Sequence, residues 1–524
     1  MKSIYALIVP LLFVIVSITS CQKDFLERPS LSQISSDNFY QTTADLRLAT
    51  AALYGGSPWW QWNTQPYMML GDVMSGNLIS QWWGDAVQLN TFSITGQNAI
   101  MQQAWTGLYI VVAHCNSTIN AIREKAPASI PESDKNAAIA EARFIRAMAY
   151  YHLVMLWGDV PIIEDNTKLI SSPLVNRNTK ADVYRFITAD LIFASRNLPA
   201  TDAAGRATTW SAQGMAGKVY LTMSGLSQEG GSRNQTYLDS AKFYAGNVCK
   251  NSGRSLFPSY YDLFKTQFND NPESLFALQW APGVTYGFGN MLQTYSPSSD
   301  ITPNNQGAWL FLQPTYDLYK LYSKKDTIRR KASFMLPGDK YPELNAAGGG
   351  YTSNSSTLKK HMVGTQTDNN SPNMTLVSSV EHNSLLRLAD VYLVYAEAIL
   401  GNNGSTADGE ALQYFNAVRK RAGVDPAPSL NIDTLIQERR KELAYEGHYW
   451  FDLVRLSYYD PQKAVSFLND QQRVTFAYSS GIATPNAPIG SITPANPGTF
   501  TLQLPSAELT ANPKLADAPV RYYH

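Results

Sequence analysis

The sequence predicts a mainly α-helical protein, in which about four pairs of stacked helices pack against a loop-rich second half with short strands. Three observations favour this class. Segments with the ~3.6-residue spacing of apolar side chains follow one another as far as residue 250, and turn-forming residues separate them. From residue 253 the composition shifts toward Gly, Pro, Asn, Ser and Thr, which is typical of loops. Three further helical segments then return between residues 386 and 456.

The composition is that of a large, charge-balanced protein. With 524 residues, of which 44% are hydrophobic and 12% aromatic, the chain can bury a sizeable core. Lys and Arg together number 42, as do Asp and Glu, so no broad basic surface attracts nucleic acid and we expect no such partner. Length alone allows more than one domain, but no long Pro/Ser linker separates two folding units. We therefore expect one domain over residues 21–524, with a helical part at 21–252 and a loop-rich part at 253–524.

The first twenty residues have the pattern of a targeting segment. Lys2 precedes an apolar run at residues 4–18, which is shorter than the ~20 residues that a membrane-spanning helix needs. The sequence up to Cys21 loosely fits a lipoprotein cleavage site. We expect residues 1–20 to be a signal peptide and Cys21 to become the lipidated N-terminus, which tethers the protein to a membrane. The alternative is an ordinary signal peptide followed by an incidental cysteine.

A first helix is predicted at residues 44–54. Thr42 and Asp45 have the spacing of a capping box, and Gly55 with Gly56 can end the helix. In residues 57–84, turn-forming residues interrupt a run of large aromatic side chains, so we expect several of these on irregular backbone, where binding residues are common. The aromatic residues of this stretch are Trp59, Trp60, Trp62, Tyr67, Trp82 and Trp83.

A ladder of helix pairs is predicted up to residue 251. The later turns of its second helix are apolar all round, which indicates a core helix that ends at Gly158. Small residues such as Ala142 and Ala216 allow the close backbone approach that stacked helical repeats require. Cys115 is expected to be a buried free thiol, and its spacing to Cys249 suggests neither zinc nor a redox pair. The predicted helices span residues 105–122, 136–157, 180–197, 210–223 and 237–251.

Long ordered loops are predicted beyond residue 253, with short strands at residues 274–280 and 499–504. The C-terminal helices come next: one at 388–400, which leaves almost no solvent face, one at 411–422, and one that begins after Asp433 and continues to Val454. The third helix carries an acidic stripe, for which we predict a structural ion-pair network between helices rather than a metal or acid/base site. The stripe is Glu438, Glu442 and Glu446, and the candidate partners are Arg387, Arg419, Arg421 and Arg455.

The same C-terminal helices carry a family resemblance. The runs RLADVYLVYAEAILG at 387–401, FNAVRKRAGV at 415–424 and ERRKELAYEGHYWFDLVRLS at 438–457 resemble the C-terminal signature of the SusD/RagB family, nutrient-binding outer-membrane lipoproteins of Bacteroidota. EARFIRAMAYYHLVMLWGDVPII at 141–163 and TGLYIVVAHCNSTINAI at 106–122 are similar to the tetratricopeptide-like helices of that family. In pieces, the resemblance runs from Cys21 to about residue 515.

This resemblance implies a fold, a function and a location. The fold is SusD-like, with tetratricopeptide-like repeats. The function is capture of an oligosaccharide and its delivery to a SusC-like TonB-dependent transporter, which the protein covers as a lid. The location is the outer membrane, with a lipid anchor. Because Asp24 and Glu27 resemble the surface-export signal of lipoproteins in the same phylum, the protein is expected to face the cell exterior.

The search for catalytic motifs is mostly negative. The histidines never fall at i, i+4 spacing or in an HExxH motif, and no G-x-S-x-G elbow occurs, so we expect neither a catalytic site nor a metal or cofactor. Paired carboxylates for glycoside hydrolysis stay open, because their separation of ~5–9.5 Å depends on the fold. Two alternatives therefore remain: a surface glycoside hydrolase, and a helical-repeat lipoprotein that binds peptides or proteins.

The candidate ligand-binding residues are chosen for their chemistry. Sugar rings present apolar C–H faces and hydroxyls, so flat aromatic side chains beside polar groups suit a glycan. Trp82 and Trp83, near Asn77, fit this description best. For each aromatic the competing interpretation is core packing. The full candidate set is Trp82, Trp83, Asn77, Trp59, Trp60, Trp62, Tyr286, Phe288 and Trp309.

Overall fold

The computed structural model describes residues 39–228, 230–283, 286–307 and 312–523. The predicted signal peptide, the lipidation site Cys21 and the candidate residue Trp309 lie outside these ranges.

Eighteen α-helices lie in the described ranges. The first nine are α1 Thr43–Ala51, α2 Gly56–Thr64, α3 Pro66–Met68, α4 Gly84–Thr91, α5 Ala99–Lys125, α6 Glu132–Trp157, α7 Lys168–Ser171, α8 Lys180–Asn197 and α9 Thr209–Met223. The other nine are α10 Gln235–Asn251, α11 Tyr316–Leu321, α12 Thr327–Ser333, α13 Leu388–Leu400, α14 Gly409–Arg421, α15 Ile432–Glu442, α16 Tyr449–Ser457, α17 Pro461–Asn469 and α18 Ser506–Ala511. A π-helical turn, Met69–Val73, follows α3.

The strands are short and pair two by two. They are β1 Leu78–Ile79, β2 Ser274–Leu278, β3 Gln313–Pro314, β4 Phe334–Met335, β5 Lys340–Tyr341, β6 Tyr351–Thr352, β7 Thr357–Leu358, β8 Asn383–Arg387, β9 Phe476–Ser479 and β10 Ile482–Pro485. The antiparallel pairs are β1 with β3, β2 with β8, β4 with β7, β5 with β6, and β9 with β10. The predicted class, mainly helical with short strands, is confirmed.

The long helices form a continuous ladder. Helix α5 packs on α6, α6 on α8, α8 on α9, and α9 on α10. The ladder then crosses residue 252, because α10 packs on α13 and α13 on α14. Small residues permit this close approach: a Cβ at Gly217 of α9 would lie 2.9 Å from Cβ of Ala245 in α10. The first C-terminal signature helix therefore continues the helical array begun in the N-terminal half.

The predicted ion-pair network is present and buried. Arg387 contacts Glu442 and Glu446 at 2.7 Å each, and Glu273 at 2.8 Å. Arg421 also contacts Glu442, and Arg419 contacts Glu438 at 2.7 Å, so three of the four predicted arginines take part. The fourth prediction, Arg455, is wrong. Its guanidinium contacts Glu397 and Asp452 instead, because α16 presents it to α13.

Buried guanidinium and ammonium groups keep the network carboxylates ionised. Burial alone would raise the pKa of Glu446, but the charges of Arg387 and Lys360 outweigh it and hold that pKa at about 2. Glu438 is also held at a pKa of about 2, against the same effect of burial, chiefly by the charge of Arg329. The network fixes α15, β8 and the loops before β2 to one another, which supports the structural interpretation.

Two local predictions are wrong, and a third holds only in part. Of the aromatic stretch expected to be irregular, Trp82 and Trp83 do lie on irregular backbone, but residues 57–64 form α2, since Pro58 lies in the first helical turn, where its missing N–H costs nothing. The third C-terminal helix is two helices, α15 and α16, with α15 capped by Asn431 rather than Asp433. The strand predicted at 499–504 is absent from the described residues, where Pro497–Phe500 is a 3-10 turn followed by extended chain.

Cys115 is a buried free thiol, as predicted, and Cys249 is free and half-buried. Burial raises the pKa of both thiols, which leaves them protonated and unreactive at neutral pH. Among the helices of the described ranges, none is long and apolar enough to cross a bilayer.

Candidate functional site

One part of the candidate site is the tryptophan loop, residues 80–83, between β1 and α4. The Trp82 side chain is 83% exposed, whereas Trp83 is half-buried against the core. The carbonyl of Trp83 accepts the Val87 N–H at 2.9 Å, which ties the end of the loop to α4. Gln81 donates from Nε2 to Thr475 Oγ1 at 3.3 Å, beside the hairpin of β9 and β10. Trp82 therefore projects into solvent from a loop that is fixed at both ends.

A second part, named the aromatic cluster, consists of the ring pair Trp60 and Tyr286 together with Phe288, which lies two residues beyond Tyr286 in the chain. The rings of Trp60 and Tyr286 meet edge to face, with centroids 5.4 Å apart and planes at 67°. Such a pair is favourable and holds both rings in place. Tyr286 is 60% exposed and Phe288 46%, so two aromatic side chains remain open to solvent. The Trp60 Nε1–H is buried and has no hydrogen-bond partner in the described part of the chain.

The segment that carries Tyr286 and Phe288 is anchored directly after them. Asn290 donates from Nδ2 to the Glu381 carbonyl at 2.8 Å, and its own carbonyl accepts the Ser379 N–H at 2.9 Å. At Gly289 a Cβ would lie 2.5 Å from the Val377 carbonyl oxygen, so a side chain there has no room. The exposed rings therefore sit on a short projection from a rigid, buried base.

A cleft of about 550 Å³ borders the aromatic cluster. Phe288 lines one side, and the turn between α1 and α2, with Gly55 and Gly56, lines another. Ser57 and His114 add a hydroxyl and an imidazole, and neither side chain has a protein hydrogen-bond partner among the described residues. Partial burial lowers the pKa of His114, which is therefore neutral at pH 7 and can both donate and accept a hydrogen bond. Ser57 and His114 escaped sequence analysis, because a lone serine and a lone histidine carry no motif.

Three of the residues proposed from sequence do not face the surface. Trp59 is fully buried and donates from Nε1 to the Leu53 carbonyl at 2.9 Å. Trp62 lies on the same buried face of α2, with its ring 4.8 Å from that of His152. Asn77 is buried between Asp72, to which it donates at 2.9 Å, and Arg440, from which it accepts at 2.8 Å. The prediction that these side chains contact a ligand is wrong, because each is occupied in the core.

The structure brings together Trp60 and Tyr286, two residues far apart in the chain, and Phe288 lines the cleft. Within the described ranges no ring contact joins Trp82 or Trp83 to this cluster. The candidate site thus comprises two aromatic features, the tryptophan loop and the aromatic cluster. Together they offer flat apolar faces with nearby hydroxyl, amide and imidazole groups, which is the chemistry of sugar recognition.

No group of three or more His, Cys, Asp or Glu side chains in the described ranges is arranged to hold a metal ion.

Comparison with known proteins agrees with this chemistry. The family model described as "SusD family" matches residues 272–520, and one described as "Starch-binding associating with outer membrane" matches residues 24–221. A SusD-like protein of Bacteroides ovatus is 38% identical over 457 residues, which cover 87% of this chain and 83% of that protein. SusD-like protein P2 of Formosa agariphila is 26% identical, and the match covers 85% of this chain and 90% of that protein.

Solved structures are similar over nearly the whole chain. One protein whose crystal structure was solved with xylogluco-oligosaccharide is 35% identical in sequence and matches with a TM-score of 0.85. The match covers 91% of this chain and 99% of that one. A laminarin-binding SusD-like protein matches with a TM-score of 0.69 at 23% identity, over 90% of this chain and 98% of that one, which establishes the shared fold alone.

Proposed function

The chain belongs to the SusD family, and on that premise we propose that it is a surface lipoprotein that binds an oligosaccharide and passes it to a SusC-like TonB-dependent transporter. The observation that carries the proposal is the pair of exposed aromatic features on a rigid helical body. Exposed aromatic rings cost free energy in water unless a partner covers them. A sugar face is such a partner, and it needs the adjacent polar groups that Ser57, His114 and Gln81 provide.

The ligand that we propose is a β-linked glucan oligosaccharide of the xylogluco type. A relative of the same fold that is 35% identical was crystallised with xylogluco-oligosaccharide, which supports this class. The net charge of zero for the whole chain fits an uncharged ligand. Of the candidate residues we retain Trp82, Trp83, Trp60, Tyr286 and Phe288 as sugar contacts.

The proposal also covers export and assembly. Residues 1–20 are removed, Cys21 is acylated, and the mature chain 21–524 is held at the outer face of the outer membrane. The transporter beneath it receives the oligosaccharide unaltered, so the protein is a binding protein and not an enzyme. The helical ladder offers a broad, rigid surface of the kind that large protein interfaces use.

Affinity electrophoresis of the mature protein tests the binding proposal. Native gels are cast with xyloglucan, laminarin or starch, and wild type is compared with Trp82→Ala and Tyr286→Ala. We expect xyloglucan to retard wild type strongly and each variant less. Phe243→Ala is the matched control, because Phe243 is a 66% exposed aromatic on α10 and not part of either aromatic feature. Equal retardation of wild type and both variants would remove the site assignment.

The same samples distinguish the hydrolase alternative. After prolonged incubation with xyloglucan, chromatography of the sugar should show no shortened chains. Accumulation of products that stops when one carboxylate is replaced would make the protein a glycoside hydrolase and overturn the binding-only proposal.

A further inference from the structure

Three stacked tyrosines form a row on the outer face of α9 and α10. Tyr237 and Tyr244 are seven residues apart on α10 and thus lie on one face of the helix. Tyr220 of α9 lies between them, with centroids 6.1 Å from Tyr237 and 5.6 Å from Tyr244 and ring planes tilted by 28° and 6°. All three rings are half-buried. The stack leaves Tyr237 as an end ring with a fixed orientation.

A cavity of about 470 Å³ adjoins that end ring. Tyr237, the end ring of the stack, lines the cavity, whereas Tyr220 does not. Tyr523 is a second aromatic in the lining, and Asp182, Arg185 and Arg521 supply a carboxylate and two guanidinium groups. The volume falls in the range of ~300–1,000 Å³ that is typical of small-molecule sites.

The C-terminal segment that lines this cavity is held in place by main-chain hydrogen bonds. The Val520 N–H donates to the Arg177 carbonyl at 2.9 Å, and the Val520 carbonyl accepts the Thr179 N–H at 3.2 Å. The Tyr522 N–H donates to Asp182 Oδ2 at 2.9 Å, at the start of α8. The side chains of residues 521 and 523 therefore approach the cavity from an anchored strand-like segment. Four separate chain segments thus build the cavity.

We propose that this cavity, the tyrosine cavity, is a second carbohydrate-binding site. An aromatic face of fixed orientation can accept the apolar side of a sugar ring, while guanidinium and carboxylate groups hydrogen-bond the hydroxyls around its edge. Arg185 has a 62% exposed side chain and a long 3.5 Å contact with Asp182, so its donors are not saturated. The tyrosine cavity rests on the proposed ligand class but shares no residue with the tryptophan loop or the aromatic cluster.

Two sites on one chain have a physical consequence for a long ligand. Once one site holds a polysaccharide, the second encounters another part of the same chain at a raised effective concentration. A polymer should therefore bind more tightly than a short oligosaccharide, even though neither site changes. The tyrosine cavity would retain a long glycan while the other site releases it.

Calorimetric titration of the full mature chain with xylogluco-oligosaccharide tests the second site. The Trp82→Ala/Tyr286→Ala double variant should keep residual binding about tenfold or more weaker than wild type. Adding Tyr237→Ala, or separately Ala181→Trp, should abolish that residual binding. Ala181 is an exposed residue of the lining, so tryptophan there fills the cavity without removing a core contact. Phe243→Ala, next to the stack but outside the cavity, should leave residual binding unchanged.

The outcomes separate this inference from the proposed function. If wild type binds and the double variant shows no residual binding, the tyrosine cavity is not a sugar site while the proposed function stands. Residual binding that survives both Tyr237→Ala and Ala181→Trp also overturns the inference. If wild type does not bind xylogluco-oligosaccharide, both the proposed function and the second site are contradicted for this ligand.

Discussion

Removal of Arg387 should destabilise the protein far more than removal of an exposed lysine with a comparably short ion pair. Arg387 is buried and contacts three carboxylates at 2.7–2.8 Å, those of Glu273, Glu442 and Glu446. Replacement by methionine keeps the apolar stem but leaves these buried charges short of a partner. Breaking a buried pair in this way costs about 3–5 kcal/mol.

The comparison variant is Lys325→Met. The Lys325 ammonium lies 2.6 Å from Asp425, a shorter distance than any in the Arg387 set, but both side chains are more than 60% exposed. Water screens this pair, so its loss should cost less than about 1 kcal/mol. Burial, rather than distance, decides the difference between the two variants.

Thermal unfolding by differential scanning fluorimetry provides the measurement. With an unfolding entropy of about 2.1 cal/mol/K per residue, a chain of 524 residues has about 1.1 kcal/mol/K, so Arg387→Met should lower Tm by roughly 3–5 °C. Lys325→Met should lower it by about 1 °C or less. The decrease in Tm caused by Arg387→Met should be smaller at pH 5, because carboxylates that lack a guanidinium partner take up protons at that pH. Equal Tm values for the two variants at pH 7.5 would refute the reasoning.

Three further predictions follow from the same contacts. Glu438 and Glu446 have a folded pKa of about 2, which lies below the unfolded value. Their contribution to folding stability is therefore full above about pH 5 and is lost as the pH falls toward 2. Tm measured over that pH range should fall accordingly. Trp59→Ala should cost about 3–5 kcal/mol of stability, because the ring of Trp59 is buried. Tyr286→Ala should change Tm by no more than about 1 °C but should weaken glycan binding about tenfold in calorimetry. A large loss of Tm in Tyr286→Ala, with weaker glycan binding in Trp59→Ala instead, would contradict the assignment of core and site. Gly289→Ala should shift the aromatic segment and weaken glycan binding, because its Cβ would collide with the Val377 carbonyl; unchanged affinity would show that the segment is not held as described.

The best sequence predictions were those of helices with a clear local signal at one of their ends. Helix α8 begins and ends at the predicted residues, since Thr179 caps its first turn and accepts the Asp182 N–H. Helix α13 also has the predicted bounds, since Gly401, at φ +56°, ends it. In both cases the chemistry that sets the boundary lies within a few residues of it. The family resemblance, which rested on the signature around α13 to α16, is likewise confirmed.

The break between α15 and α16 had one weak local signal, Gly447. The apolar spacing continues through residues 443–454, so the sequence favours one helix. In the structure the carboxylate of Asp72 accepts the N–H groups of Tyr445 and Gly447 at 2.9 Å each, and both residues have φ between +66° and +70°. A contact that spans more than 370 residues of chain therefore sets the break. Single-sequence patterns do not contain that information.

The candidate site was only partly predictable for a related reason. Trp59, Trp60 and Trp62 lie in one run, and which of them is exposed depends on the face of α2 that packs on α5. Gln61 is the only polar residue between Trp59 and Trp62, and this run was expected on irregular backbone, so no helical face separated Trp60 from its neighbours. Trp82 was different, because glycine and polar residues around it predicted a loop, and its side chain is 83% exposed.

Calorimetric titration of the mature wild-type protein with xylogluco-oligosaccharide, in parallel with the Trp82→Ala/Tyr286→Ala variant, examines the central claim most directly. Saturable heat from wild type, an affinity at least about tenfold lower in the variant, and sugar recovered intact are the results we expect. Identical isotherms for the two proteins, or sugar recovered in fragments, would contradict capture of an unaltered glycan by the exposed aromatic rings.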